Sequence, residues 1–313
     1  MVDTLTEKYL WVEGYAPQTV EDCILPSSVK KTFLEYVNEK SFPNLILAGP
    51  AGVGKTSLAR ALCNEIDADL LFVNASLDRG ISDVRTTVSQ FASTSSMFGG
   101  IKVVLLDEAD NLTQDSQKAL RALIEEFQNH CRFILTCNYP HNIIDAIHSR
   151  CSVVDFHIRD PKSLAVLSGQ FYKRVVPILT AGNIRYDDKV LAKFIMDMAP
   201  DWRGILNNLQ GHSKGGELTA DILQDTPEAL IGHLKAKRWT DVRDWVFEHS
   251  YIHPKKLEMD IYKAIQSHLT DHSKPQAVLI FAEYSDKITS GADPSITLLA
   301  LCTQLMMECQ WRN

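Results

Sequence analysis

The sequence predicts an α/β chain in which a doubly wound parallel sheet is followed by two helical blocks. Three observations predict it. Apolar runs of strand length alternate with helix-period segments up to about residue 157. Runs such as Val103-Val104-Leu105-Leu106 are continuously apolar, the pattern of a sheet covered on both faces. After His157 the strand signal fades, and helical stretches are broken by Pro161, Pro177, Gly182, Pro200, Gly211 and Gly215-Gly216.

Each element can be justified in turn. A buried strand is expected over 45–48, directly before Gly49-Pro50-Ala51-Gly52-Val53-Gly54-Lys55-Thr56. That octapeptide fits the phosphate-binding loop G-x-x-x-x-G-K-[ST] without a mismatch, and Ser57 continues it into a helix over 57–66. Glycines let the backbone bend with its N–H groups inward, and the helix N-terminus adds a positive field for phosphates. Lys55 can reach the terminal phosphates of ATP, and Thr56 can hold Mg²⁺. Further strands are expected over 70–74, 102–107, 132–138 and 153–157, with helices over 83–92 and 114–129. In the last helix Leu120, Leu123, Ile124 and Phe127 recur at i, i+3, i+4 and i+7, giving one apolar face for the sheet.

Chemistry gathers where strands end. The run 103–106 leads into Asp107-Glu108, and ligands of open α/β sheets bind at the carboxyl ends of strands. Asp107 is placed to hold Mg²⁺ opposite Thr56, directly or through water. Glu108 can deprotonate the water that attacks the γ-phosphate. The fourth strand ends in Asn138, whose amide can donate to and accept from the γ-phosphate and that water.

Composition sets limits. The 313 residues leave room for two or three domains: 1–157 for the nucleotide-binding α/β domain, 158–228 for a first helical block, and 229–313 for a second. In the last block Leu298, Leu301, Cys302 and Leu305 form one seam, and Val278, Phe281 and Ala282 another. No run approaches the roughly 20 apolar residues that span a bilayer, so a soluble, cytoplasmic protein without membrane partners is expected. The seven cysteines include no C-x-x-C pair, and Cys63, Cys131, Cys137, Cys151 and Cys302 read as reduced core thiols. A net charge of −7 means that nucleic-acid binding requires a local basic surface, or a more basic partner in an assembly, rather than overall charge.

The order strand, phosphate loop, acidic strand end, polar strand end, then Ser149-Arg150-Cys151 resembles the AAA+ clamp-loader ATPases. Tyr15-Ala16-Pro17, Asp22-Cys23-Ile24-Leu25-Pro26, Phe72-Val73-Asn74-Ala75-Ser76, Phe91-Ala92-Ser93 and the ending Met307-Glu308-Cys309-Gln310-Trp311 narrow it. They look like the large, ATP-hydrolysing subunit of the T-even-type phage loaders. The resemblance implies that Arg150 is an arginine finger projected into a neighbouring subunit's ATP site. It implies that 158–228 is a helical lid whose Arg203, in Pro200-Asp201-Trp202-Arg203-Gly204, contacts the γ-phosphate of its own subunit and closes the lid, and that 229–313 is a helical oligomerisation collar. Val12, Tyr15 and Ile24 correspond to the adenine pocket. Asn74 is expected to hydrogen-bond Glu108 until DNA arrives, and Gln117 to link its helix to the DNA-facing surface. One departure is Ala16, where the family commonly reads Tyr-Arg-Pro, so no contact by that arginine carries over.

The same resemblance implies partners: further copies of the chain, a small loader subunit, a ring-shaped sliding clamp and primer–template DNA. Arg79 and Arg85, around the start of a helix, and Lys118 and Arg121, one turn apart, are the expected phosphate contacts. The helix over 83–92 and the loop 94–100 are expected to meet the clamp. Two alternatives remain at this point. One is another AAA+ machine acting in branch migration or origin initiation, and the other is a loader subunit that binds nucleotide without cleaving it. The intact set Lys55, Thr56, Asp107, Glu108 and Asn138 argues against the second.

Overall fold

The structure, a computed structural model, describes residues 10–76, 81–94, 100–250, 252–289 and 293–312. The order of the first elements is α1 (Trp11–Gly14), α2 (Ser27–Glu39), β1 (Leu45–Ala48), α3 (Lys55–Glu65), β2 (Asp69–Asn74), α4 (Ile81–Ser93), β3 (Lys102–Asp107), α5 (Gln114–Glu126), β4 (Cys131–Cys137), α6 (Asp145–His148), β5 (Ser152–Asp155) and α7 (Pro161–Ala181). The strands form a five-stranded parallel sheet in the order β2-β3-β4-β1-β5. Each expected strand and helix is present, with shifted ends: α3 begins at Lys55, β4 ends at Cys137 just before Asn138, β5 ends at Asp155 rather than 157, and α5 stops at Glu126, three residues early, with Phe127 as its C-cap.

Side-chain alternation explains why both faces of the sheet are covered. Ile46, Val104, Leu106, Phe133 and Leu135 pack on one face with Val88 of α4 and with Leu120, Leu123 and Ile124 of α5. Leu45, Leu47, Val103, Leu105 and Ile134 pack on the other with Phe33 of α2 and with Leu58 and Leu62 of α3. Every residue of β1 is buried, as is β3 up to Leu106. The register aligns Ala48 with both Cys137 and Asp155, and Asn74 with Asp107. The strand ends that carry chemistry therefore share one rim.

Helix starts are set by local chemistry. Thr113 caps α5 by accepting from the Ser116 amide, and Asp160 caps α7 by accepting from the Lys162 and Ser163 amides ahead of Pro161. Each such cap contributes about 1 kcal/mol.

The remaining elements are β6 (Arg185–Tyr186), α8 (Asp188–Met198), α9 (Trp202–His212), β7 (Glu217–Leu218), α10 (Pro227–Lys235), α11 (Trp239–Glu248), α12 (Pro254–Ile265), α13 (Ser273–Thr289) and α14 (Pro294–Glu308). The chain divides into two compact units, 1–183 with 199–211, and 184–198 with 212–313. This partition differs from three consecutive segments. Helices α7 and α9 join the sheet-bearing unit because Trp202 stacks on Phe171 at 4.8 Å and Gln210 accepts from the Trp11 amide at 2.9 Å.

The second unit is built on its own core, in which Leu230, Leu234, Val246, Ile261, Leu301, Cys302 and Leu305 are buried. Leu298 completes the expected seam of α14. The expected seam of α13 needs correction. Val278 and Ala282 face out, and the buried side carries Ala277, Ile280 and Phe281. Apolar residues occupy both phases of this helix, so periodicity alone could not choose between them. All seven cysteines are free; Cys151 is half-buried and the other six are buried.

Candidate nucleotide site

The phosphate loop leaves β1 at the centre of the rim and turns into α3. Gly52 has φ +80, a left-handed conformation that side chains rarely adopt. Space opposes one as well, because an added Cβ there would stand 1.8 Å from Asp201 Oδ1 and that carboxylate would have to move. Asp201 in turn accepts from the Gly204 amide at 2.9 Å at the start of α9, and the Arg203 amide leans on the Gly52 carbonyl at 3.4 Å. The loop and the start of α9 thus meet directly.

Lys55 is buried, and its ammonium donates to Gly49 O at 2.7 Å, Pro50 O at 2.7 Å and Asn138 Oδ1 at 2.9 Å. Burial pushes its pKa down to about 8, against the partial support of nearby Cys137, Asp110 and Asp107. A triphosphate would favour the charged form. ATP binding near pH 8 is therefore expected to take up a proton, and affinity should fall as pH rises through about 8. Calorimetry in two buffers of different ionisation enthalpy checks both; a binding heat independent of buffer would contradict them.

Thr56 Oγ1 donates to Asp107 Oδ1 at 2.6 Å, and Thr136 Oγ1 donates to the same oxygen at 2.7 Å. Hydroxyl and carboxylate oxygens so placed suit a hard divalent cation, which would replace the Thr56 contact. No group of three or more His, Cys, Asp or Glu able to hold a metal occurs among the described residues. Mg²⁺ commonly binds through one or two carboxylates together with phosphates and water, and Asp107 with Thr56 could supply the protein's share of such a set.

Glu108 adopts a left-handed backbone (φ 55, ψ 44), and its amide donates to Thr136 Oγ1 at 3.0 Å. Its carboxylate accepts a close contact from the Ser76 hydroxyl and another from Asn111 Nδ2 at 3.2 Å. Asn111 Nδ2 also reaches Ser76 Oγ at 2.8 Å. The expected Asn74–Glu108 hydrogen bond is not the one observed. Asn74 Oδ1 instead accepts from the Ser76 amide at 2.9 Å, because a short amide at a strand end folds back on its own turn. Asn74 thereby shapes the turn, and Ser76 makes the contact.

Asn138 stands beside Lys55, and its amide, with that of Tyr139, donates to Asp110 Oδ2 at 3.1 and 2.9 Å. Gln117 is buried and ties α5 to the segment ahead of α6. Its Nε2 donates to Leu112 O at 3.2 Å and Asn142 O at 2.9 Å, while its Oε1 accepts from the Ile144 amide at 2.8 Å.

Val12, Tyr15 and Ile24 line one cleft together with Gly52, Val53, Gly54, Ser57 and Arg203. Phe171, Arg174, Trp202 and Leu206 also line it, although nothing in the sequence marks any of the four as a nucleotide contact. Arg174 donates to Tyr15 O at 2.8 Å and to Asp22 O, securing the N-terminal stretch around the cleft.

Arg150 makes none of these contacts. It is held on the surface of α5 and α6 by Glu125, by Ala146 O at 2.6 Å and by Ser149 Oγ at 2.9 Å. Among the expected phosphate contacts, Arg85, Lys118 and Arg121 are exposed. Lys118 pairs with Asp115 at 2.9 Å and Arg121 with Glu125 at 3.2 Å. Arg79 lies outside the described residues. No described helix is long and apolar enough to cross a membrane.

Residues 45–159 match the model of the ATPase family associated with various cellular activities (AAA). A replication factor C small subunit of Methanothermobacter thermautotrophicus is 31% identical over 95% of this chain and 97% of its own length. The sliding-clamp-loader large subunit of Enterobacteria phage T4 is 30% identical, with both chains covered in full. Human replication factor C subunit 5 is 34% identical over 77% of this chain and 70% of its own. Among solved structures, a Thermotoga maritima RuvB, described as a Holliday junction branch migration motor, superposes with a TM-score of 0.52 at 18% identity. The superposition covers 69% of this chain and 73% of the other, a likeness of fold.

Proposed function

Because this chain belongs to the AAA family of ATPases, as a clamp-loader ATPase subunit, we propose that it hydrolyses ATP to open a ring-shaped clamp and leave it on primer–template DNA. The observation that carries this reading is the split of the site. Lys55, Thr56, Asp107, Glu108 and Asn138 share one rim, whereas Arg150 is held elsewhere on the same unit. A finger absent from its own cradle is suited to completing a neighbour's.

Within the site, Lys55 holds the terminal phosphates, exchanging its carbonyl acceptors for phosphate oxygens. Thr56 and Asp107 would hold Mg²⁺, which neutralises charge developing on the phosphates when bound. Asn138 orients the attacking water, and Glu108 takes its proton once released by Ser76 and Asn111. Arg203 contacts the γ-phosphate from α9. Val12, Tyr15 and Ile24 seat the adenine.

The partners are other copies of the chain, a small loader subunit, the clamp and DNA. Arg85, Lys118 and Arg121 would meet DNA phosphates without reading sequence, alongside Arg79; α4 and the loop after it would meet the clamp. The full-length similarity to the phage T4 subunit supports a viral replication setting. The likeness to the branch-migration motor is one of fold and favours no second reading.

ATPase measured with and without primed DNA and cognate clamp tests the proposal. Strong joint stimulation is expected. Turnover indifferent to both would overturn it.

A further inference from the structure

Two guanidinium groups compete for one carboxylate on α5. Arg121, one turn before Glu125, grips it as a fork, with Nε on Oε1 at 3.2 Å and Nη2 on Oε2 at 3.2 Å. Arg150 reaches Oε1 alone, with Nε at 2.7 Å and a closer contact from Nη2. Hydrogen bonds from Arg121 and Arg150 hold the Glu125 carboxyl below the usual carboxylate range, so it remains charged. A carboxylate has two oxygens and offers a parallel fork to one guanidinium at a time. At present Arg121 has that fork.

We propose that Glu125 is a positioning residue for Arg150, and that Arg121 withholds it until a phosphate draws Arg121 away. This rests on the reading above, in which Arg121 meets DNA and Arg150 serves the neighbour's ATP. With Arg121 engaged on a phosphate, Oε2 is released. The Nε and Nη2 edge of Arg150 then takes both oxygens, which fixes the plane of its guanidinium. The Nη1 edge, now on Ala146 O and Ser149 Oγ, is left as the one to present to the neighbour. The change needs only side-chain rotations, of Arg121 and Glu125 on α5 and of Arg150 just past α6, and no movement of the sheet. Contact with DNA and readiness of the finger become one event.

The device predicts opposite effects for its two ends. In the assembled complex with primed DNA and clamp, Glu125→Gln lowers kcat roughly tenfold, because the amide has one acceptor and no charge. KM for ATP stays the same, which a general loosening of the unit would not allow. Without DNA, Arg121→Ala raises turnover several-fold, since the competitor is gone. That rise vanishes in the Arg121→Ala/Glu125→Gln double variant. A Glu125→Gln complex that turns over as fast as wild type, or faster, overturns the proposal; so does a DNA-free rise that persists in the double variant. Anisotropy of labelled primer–template separates the premise from the inference. Weaker DNA binding by Arg121→Ala supports the contact, and unchanged binding removes it. The DNA-free comparison judges the shared carboxylate independently. Thermal melts of each variant confirm that the chain folds.

Discussion

Arg150→Ala is expected to lower ATP turnover of the assembled complex by about 10³–10⁵, the range for loss of an arginine finger. That corresponds to about 4–7 kcal/mol of transition-state stabilisation. The effect is this large because the guanidinium neutralises charge that develops only as the terminal phosphoryl group departs. The cations of the cradle, Lys55 beside Asn138 and Arg203 on α9, would already be engaged with the phosphates before that charge develops, so neither replaces the finger. The placement of Arg150 away from its own cradle adds a sharper expectation. Mixing Arg150→Ala subunits with Lys55→Ala subunits, each inactive alone, should restore turnover. Random assortment around a head-to-tail ring completes roughly a quarter of the sites. Failure of any mixture to recover would mean that the finger acts within its own subunit.

The second large effect is expected at Glu108. Replacement by Gln should lower turnover by about 10²–10⁴, the usual contribution of a positioned general base. Affinity for ATP should persist, because Lys55, Thr56 and the loop amides are untouched. The neutral amide can still accept from Ser76 and Asn111, so the side chain should keep its place. Equilibrium binding of labelled ATP and single-turnover hydrolysis separate the two quantities. A parallel loss of affinity and rate would assign Glu108 to the cradle rather than to proton transfer.

Much of this was legible in the sequence, for identifiable reasons. Continuous apolar runs marked β1 and β3, because strands buried on both faces have no polar side to show. The phosphate loop was readable because its function constrains consecutive residues. What stayed hidden depends on contacts distant in sequence or on the phase of a helix. Nothing local announces that Ser76 would touch Glu108, since the contact follows from a turn shaped by Asn74 and from the left-handed backbone at Glu108. Phe171, Arg174, Trp202 and Leu206 line the cleft from helices far along the chain, where they read as ordinary core or surface residues. On α13, apolar side chains in both phases concealed which side is buried.

The close approach of Asp201 to Gly52 has a bearing on how such a chain can change. Positions separated by almost half the polypeptide behave as one locus. A mutational library that randomises the loop alone would return glycine at 52, whatever the selection. Shortening residue 201 in the same molecule frees the space, while the left-handed backbone at 52 still favours glycine. Recombination that joins a loop carrying a side chain at 52 to a segment keeping Asp201 should yield folded but defective chimaeras, with the breakpoint rather than any single residue at fault.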